Sequence, residues 1–442
     1  MLINTGVFVY LACLICFLIA AKRYSTDNFS LPMLFICFAL AEIPYLFFIY
    51  NNSDELHRYV LYNLTDLDTA FFKHILYKFL FVSIAFYFIL KTKFQLGFVS
   101  NFYAINYLPV NRYRYISLFF CLLTILVFLA FLSKVGGLLN LILNISTKTT
   151  AVQGTAFYRN TFLITSMLTV GFYILYLSKK TTILFVDKIA LFFLITLCFI
   201  ILGSSGERKN PMMLLIFAAM SWNFLVAKIK LLTLKNVFLL AFLVFFASLA
   251  PVLRKTGAIE IYMESPGTLF IDSFQYIGEV FKRFSEIDIS LFIFSHFDSV
   301  DKLWFGASLS DFFTGFIPSS IYPEKPPLDE GVYIYALAHG YDVYPPTAFN
   351  KMLPVGWPLS RMTGPYVNFG IIGVVVFAAL TGIVLKVFEN IMIRSAYSPQ
   401  TILLYCIIVV TNFGLTNAFV FNLLTVIVML SILTLLIKIR IK

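Results

Sequence analysis

Long apolar runs alternate with short polar segments along most of this chain. Each run is long enough to cross about 30 Å of hydrocarbon as a helix. We therefore expect eleven membrane-spanning helices, near residues 5–21, 31–50, 70–90, 116–133, 161–178, 185–203, 211–227, 236–252, 367–386, 401–418 and 421–437. Lys22 and Arg23 follow the first run, which is expected to be a membrane anchor rather than a cleaved signal.

The composition predicts an all-α, polytopic membrane protein. Hydrophobic residues make up 60% of the chain and charged residues 12%, whereas soluble domains average about 25% charged residues. The continuous runs exclude an outer-membrane barrel, whose strands are short and alternate in polarity. Basic span ends account for the net charge of +11, so no nucleic-acid partner is expected.

Basic residues at the ends of the runs predict the orientation. With eleven spans, six basic flanks fall on one side, which the positive-inside rule makes the cytoplasm: Lys22-Arg23, 91–114, Lys179-Lys180, 228–235, 386–394 and 438–442. The amino terminus is then outside, as is the segment 253–365. We expect three parts: spans one to eight in 1–252, an external subdomain in 253–365, and spans nine to eleven in 366–442.

The segment 253–365 differs in composition from the rest of the chain. It contains 13 of the 22 acidic residues and 10 of the 16 prolines. A segment of this length is too long for a simple connector. Its apolar runs Leu269–Ile277 and Leu291–Phe297 predict short helices, and its proline-rich parts Ile317–Pro327 and Tyr344–Pro358 predict extended or turned chain.

No metal or cofactor site is predicted. The chain has four histidines and six cysteines, and the cysteines all lie inside apolar runs. There is no phosphate-binding glycine-rich loop and no nucleophile elbow. The informative residues are therefore the charges at the predicted outer ends of the spans.

The turn Gly203-Ser-Ser-Gly-Glu-Arg-Lys-Asn-Pro211 lies on the predicted outer side. Pro211 suits the first turn of the next helix, where its missing N–H costs nothing. Arg208 and Lys209 then lie at a helix N-terminus, and a guanidinium fork there suits phosphate oxygens. Contact with lipid headgroups is the alternative. Positive charge on an outer turn runs against the orientation rule and favours a functional use.

Three more basic positions lie near the same membrane depth. Arg254 and Lys255 end the eighth run, and Arg361 precedes the ninth. Arg159 ends a smaller external segment, 134–160, whose apolar stretch from residue 138 to 145 is expected to lie in the membrane interface. Each cation alone could be an interfacial anchor. Together they predict a cluster suited to a lipid-linked diphosphate.

Four ionisable residues lie in or beside predicted spans: Glu42, Lys73, His74 and Lys78. Such groups are costly in a membrane and usually face the protein interior. Because Glu42 precedes Ile43-Pro44, a kink could expose it to a cavity. We favour the alternative, in which Glu42 pairs with a lysine of the third span.

His339 and His296 are the histidines of the external segment. Imidazole titrates near neutrality, so either could act as a general base on a hydroxyl. Surface or packing roles are the alternative. The aromatic residues of this segment fit either a glycan platform or a lid on the headgroups; they include Trp304, Tyr322, Tyr333, Tyr335, Tyr341, Tyr344 and Trp357.

Four stretches together resemble the Wzy-type O-antigen polymerases, also called oligosaccharide repeat-unit polymerases. They are Gly136-Gly137 with the segment that ends at Arg159, the Gly-Ser-Ser-Gly-Glu-Arg-Lys turn, Phe316-Ile-Pro-Ser-Ser-Ile-Tyr-Pro-Glu-Lys-Pro326, and Tyr366-Val-Asn-Phe-Gly-Ile-Ile-Gly373. The expected topology, with one large late external loop, is similar along nearly the whole chain.

The resemblance implies a metal-free membrane glycosyltransferase of the C-type architecture in a bacterial inner membrane. It would join oligosaccharide units carried on undecaprenyl diphosphate in the periplasm, with a chain-length regulator as a partner. The family's arginines are thought to hold the diphosphate, a role that Arg208 and Arg254 match best by position. Many relatives carry a carboxylate where this chain has Gly364, which leaves His339 or a loop carboxylate as the base.

Three other functions stay open. An O-antigen ligase shares the architecture and differs in its acceptor. A lipid-linked oligosaccharide flippase would have two related halves and short loops, which the large loop argues against. A channel or transporter would need polar residues along several spans, and most runs here are apolar all round.

Overall fold

The computed structural model describes most of the chain. The described residues are 2–25, 27–51, 66–103, 108–143, 155–204, 209–229, 261–262, 264–276, 287–315, 321–353, 355–357, 359–411 and 417–441, with single positions at 233, 241, 245, 248, 249, 252 and 317. Helices make up the regular structure of these ranges, and none of them contains a strand. The predicted all-α class is confirmed.

The α-helices of the described ranges are numbered here in chain order. They are α1 Leu2–Tyr24, α2 Leu31–Leu40, α3 Ile43–Asn51, α4 Leu67–Lys91, α5 Gly97–Tyr103, α6 Val110–Lys134, α7 Leu138–Leu143, α8 Ala156–Ser178, α9 Phe185–Ser204, α10 Lys209–Leu225, α11 Pro266–Gln275, α12 Ile287–His296, α13 Asp311–Thr314, α14 Gly331–Ala338, α15 Thr363–Arg394, α16 Pro399–Thr411 and α17 Asn417–Ile441.

Seven helical stretches of the described chain are long and apolar enough to cross a membrane. They are Thr5–Tyr24, Leu31–Phe48, Leu67–Lys91, Val110–Lys134, Phe157–Ser178, Phe185–Ser204 and Thr363–Arg394. These stretches coincide with the first six predicted spans and the ninth. With 17 and 13 residues, α10 and α16 are shorter, and the predicted span at 236–252 lies mostly outside the described residues. The polytopic character is supported, and the count of eleven stays a prediction.

The segment 253–365, called the external segment for its predicted location, has the short elements that its pattern predicts. Helices α11 and α12 cover most of the two apolar runs, and α7 occupies the stretch predicted to lie in the interface. The described parts of the proline-rich stretches are turned or extended, with one 3-10 turn at Phe349–Lys351. The predicted short helices and turns are confirmed, and the location of α7 in the membrane interface stays a prediction.

The chain divides into two compact units. The first contains Met1–Phe94, Phe281–Val387 and Asn412–Leu424, and the second contains Gln95–Val280, Phe388–Thr411 and Thr425–Lys442. In the first unit α1 packs on α2 and α4, and α12 of the external segment also packs on α4.

Helix α8 is the centre of the second unit. It contacts α6, α9, α10 and α16. Hydroxyl groups fasten it to α6: Ser117 Oγ donates to the Thr169 carbonyl at 2.7 Å, and Thr124 Oγ1 donates to Thr165 Oγ1 at 2.9 Å. Such bonds between membrane helices contribute about 0.6 kcal/mol each.

The helix α15 is interrupted near its amino-terminal end. Gly370 has φ 61° and ψ −147°, a backbone conformation that only glycine adopts readily. The break frees two carbonyl groups, which accept from the external segment: Trp304 N–H donates to Val367 O at 2.9 Å, and Phe305 N–H to Asn368 O at 2.8 Å. Non-helical backbone at this depth is tolerated where protein buries it.

Candidate functional site

The predicted cationic residues are only partly described. Arg208, Arg254 and Lys255 lie outside the described residues. Arg159 and Lys209 belong to the second unit, and Arg361 belongs to the first, as does His339. Convergence of these residues on one diphosphate therefore stays a prediction.

Two of the predicted cations begin helices of the second unit. Arg159 lies in the first turn of α8, and its N–H donates to the Thr155 carbonyl at 3.2 Å. Lys209 is the first residue of α10 and is exposed. Pro211 lies two residues later, in the first turn as predicted. The first described residue of α10 is thus the one that follows Arg208 in the sequence.

His339 is fixed in orientation by its neighbours. It caps the carboxyl end of α14, and its Nδ1 lies 2.7 Å from the Tyr335 carbonyl oxygen. A carbonyl can only accept, so Nδ1 carries the proton and Nε2 would be the basic nitrogen. The ring packs on Tyr335 at 4.0 Å between centroids. The predicted role of His339 as a base would thus fall to Nε2.

His296 is the less suitable base of the two. Its ring stacks on Phe292 with 5.4 Å between centroids and meets Phe297 edge-on. Burial lowers its pKa below the ordinary 6.5, and the charge of Lys302 acts in the same direction. The packing role left open from the sequence fits this environment.

A cluster of buried polar side chains lies beside the break in α15. We call it the carboxyl cluster; its members are Ser308, Asp311, Glu330, Tyr333 and Asn368. Ser308 and Asp311 are three residues apart in the sequence, as are Glu330 and Tyr333, and the first pair faces the second. Ser308 Oγ lies 2.6 Å from Glu330 Oε1, and Tyr333 OH donates to Asp311 Oδ2 at 2.9 Å. Ser308 Oγ also lies 3.0 Å from Asn368 Oδ1, which ties both pairs to α15.

The two carboxyl groups of this cluster hold protons unusually well. Burial raises the pKa of Glu330 to about 7, with the charges of Asp329 and Asp311 adding to the effect. Burial also raises the pKa of Asp311 to about 6, against the hydrogen bond from Tyr333. Asp311 Oδ1 is buried and finds no partner among the described residues. Shifts of this kind are common among catalytic acids and bases.

Glu330 approaches α15 at the position of Gly364. A Cβ on Gly364 would lie 3.3 Å from Glu330 Oε2. Gly364 is where the resemblance leads us to expect a carboxylate that this chain lacks. The Glu330 carboxyl group lies beside that position and is only 5% exposed. Sequence reasoning left a loop carboxylate open as the base and did not single out Glu330.

A second charged site lies inside the first unit. Lys78 Nζ is 2.9 Å from Glu42 Oε2, and Tyr10 OH donates to Glu42 Oε1 at 3.3 Å. The predicted pairing of Glu42 with a lysine of the third span is confirmed. The positive charge of Arg361 also acts on this carboxylate.

Side chains suited to metal binding do not converge in the described part of the chain. No three His, Cys, Asp or Glu residues come together there in a way that could hold a metal ion.

Comparison with known proteins identified no relative of this chain. The chain matches no protein-family model, no curated protein and no solved structure.

Proposed function

We propose that this protein is an oligosaccharide repeat-unit polymerase, a membrane glycosyltransferase that joins glycan units carried on undecaprenyl diphosphate. The observation that carries the proposal is the Glu330 carboxyl group, held beside Gly364 in the first turn of α15 with a pKa of about 7. A general base works best when its pKa lies near the working pH. The family resemblance and the polytopic helical fold support the same function.

Glu330 is the general base of the proposed reaction. Its carboxylate removes the proton from an acceptor sugar hydroxyl, whose oxygen attacks the anomeric carbon of the donor glycan. The bond from that carbon to the diphosphate oxygen breaks, and the lipid diphosphate leaves. Asn368 and Ser308 orient the carboxyl group through the hydrogen bonds of the cluster. His339 is the second candidate base, through Nε2.

Cations stabilise the leaving diphosphate in this proposal. Arg208 and Arg254 are assigned the main contacts, because guanidinium groups bind phosphate oxygens with two parallel hydrogen bonds. Lys255, Arg159, Arg361 and Lys209 are the additional candidates. Charge fixed in place before the reaction stabilises a developing anion most effectively.

The proposed location is the bacterial inner membrane, with eleven spans. The segment 253–365 and the turn before α10 would both face the periplasm, where a chain-length regulator would be a partner. In a cysteine-free background we expect Val300→Cys and Arg208→Cys to react with an impermeant maleimide from outside. Leu184→Cys, on the predicted cytoplasmic side, should react only after permeabilisation. Labelling of positions 300 and 208 from opposite sides would contradict the proposed site.

Deletion of the gene separates the proposed function from its alternatives. Loss of a polymerase should leave lipopolysaccharide with the core and a single repeat unit. Loss of a ligase or a flippase should leave bare core. Electrophoresis of lipopolysaccharide from the deletion strain reads out the difference, and bare core would reject the polymerase assignment.

A further inference from the structure

The Glu42 site lies at an interruption of the second predicted span. Helix α2 ends at Leu40, and α3 begins at Ile43, so Glu42 occupies the turn between them. Pro44 has no N–H to bridge the gap. An interrupted span is tolerated where protein buries the break or a cavity meets it. The break places a carboxylate against the face of α4 that carries Lys78.

The stability of the fold does not by itself explain why the chain has the buried Glu42–Lys78 ion pair. Taking two charges out of water costs several kcal/mol per ion, and well-packed apolar side chains of similar volume are often as stable. Ionisable side chains inside membrane segments usually mark functional sites. The pair is also unevenly covered: the Lys78 side chain is 19% exposed and the Glu42 side chain 5%. A ligand could therefore reach the lysine more easily than the carboxylate.

Further donors lie on α4 and just before α15. His74 lies one helical turn before it on α4, and the charge of Lys78 acts on the His74 ring. His74 is buried, and its Nδ1 has no hydrogen-bond partner in the described chain. The positive charge of Arg361, two residues before α15, acts on Glu42. Lys73, also on α4, places its Nζ 3.5 Å from the Phe294 carbonyl oxygen.

We propose that Lys78, His74 and Arg361 form a binding site for a phosphoryl anion, and that Glu42 is the internal counter-ion which this anion displaces. A phosphoryl group presents three or more acceptor oxygens and can bind an ammonium, a guanidinium and an imidazole N–H together. A carboxylate has two oxygens, and here it binds Lys78 and Tyr10. Glu42 then neutralises the lysine while no anion is bound and competes with the anion for it.

The identity of the natural ligand rests on the proposed function, because it is taken to be the diphosphate of the lipid-linked donor. The existence of an anion site does not depend on the proposed function. Inorganic pyrophosphate tests it without any glycan or activity assay. A deletion strain with bare core would overturn the polymerase and leave the pyrophosphate measurement unaffected.

The test is the affinity of the purified, detergent-solubilised protein for inorganic pyrophosphate, measured by calorimetry. Glu42→Gln should raise the affinity by about tenfold, because the competing charge is gone. Lys78→Gln should lower it by about tenfold to a hundredfold, the range expected for a lost hydrogen bond to a charged group. Lys91→Gln, an exposed lysine at the far end of α4, should leave the affinity unchanged.

A double variant keeps the test valid if Lys78→Gln fails to fold. Glu42→Gln combined with Lys78→Gln removes both charges and leaves no buried ion unpaired. It should fold and bind pyrophosphate as weakly as Lys78→Gln. Wild-type affinity in the double variant, or an unchanged or lower affinity in Glu42→Gln, would overturn the proposal.

Nanodiscs distinguish the two sources of the phosphoryl group. Pyrophosphate should bind equally well in nanodiscs of phosphatidylcholine and of phosphatidylglycerol if the site selects the diphosphate. Loss of binding in phosphatidylglycerol alone would show that a phospholipid headgroup occupies the site. That result would overturn the diphosphate as natural ligand and support the phosphoryl site.

Discussion

Replacing Glu330 with glutamine should reduce the rate of polymerisation by about 10²- to 10⁴-fold, the usual contribution of a general base. The amide keeps the size of the side chain and can still accept from Ser308, so the carboxyl cluster should stay folded. It cannot take a proton from the acceptor hydroxyl. The lipopolysaccharide ladder of a complemented deletion strain should disappear at a normal level of membrane-inserted protein.

Glu324→Gln is the matched control for this variant. Glu324 lies six residues before Glu330 in the same external segment and is exposed. Its replacement should leave the ladder intact. If Glu330→Gln retains a full ladder, Glu330 is not the base, and His339 becomes the residue to test next.

The pH dependence gives an independent measure of the same role. The base must be ionised, so the wild-type rate should fall about tenfold for each pH unit below the Glu330 pKa of about 7. Stability should change in the opposite direction. The folded chain keeps a proton that the unfolded chain releases above the ordinary value of 4.5, so the free energy of unfolding falls as pH rises from 4.5 to about 7. In Glu330→Gln the free energy of unfolding should fall less over this pH range, and the remaining fall should come from Asp311.

Arg208→Ala should also abolish visible polymer while the protein inserts at a normal level. Negative charge builds on the diphosphate as the glycosidic bond breaks, and loss of one fixed donor costs about 10²- to 10³-fold in rate. Arg208→Lys should retain only a trace, since it keeps the charge and loses the planar fork. The measurement is the lipopolysaccharide ladder normalised to the amount of protein in the membrane.

Arg23→Ala controls for the loss of a cation as such. Arg23 is an exposed arginine in the last turn of α1, on the predicted cytoplasmic side. This variant should give a wild-type ladder. A well-expressed Arg208→Ala variant with a normal ladder would remove Arg208 from the site. Glu207→Gln should have a mild effect if Glu207 only orients Arg208.

The helices of this protein could be predicted from the sequence because a membrane-spanning helix is determined by the residues of its own apolar run. An apolar run must satisfy its own backbone, so its length and flanks predict the helix. The Glu42–Lys78 pair could be predicted for a similar reason, since a buried charge needs a partner and few were available. The ends of α4 and α9 fall within three residues of their predicted positions.

The carboxyl cluster could not be predicted in the same way. Glu330 lies just after the proline-rich part that ends at Pro327, in a polar stretch whose composition is typical of an exposed loop. Its burial depends on contacts with Ser308, which lies 22 residues away, and Ser308 in turn meets Asn368 60 residues further on. The interruption at Gly370 was also missed, because a glycine inside an apolar run carries no sign that its backbone leaves the helix.

The two carbonyl groups freed at Gly370 link the assembly of α15 to that of the external segment. Val367 and Asn368 obtain their donors from Trp304 and Phe305, which the ribosome adds some sixty residues earlier. The external segment therefore cannot form these two hydrogen bonds until α15 has been synthesised. In the predicted topology, amide hydrogen exchange at Trp304 and Phe305 would consequently report the opening of this contact with α15 from outside the membrane.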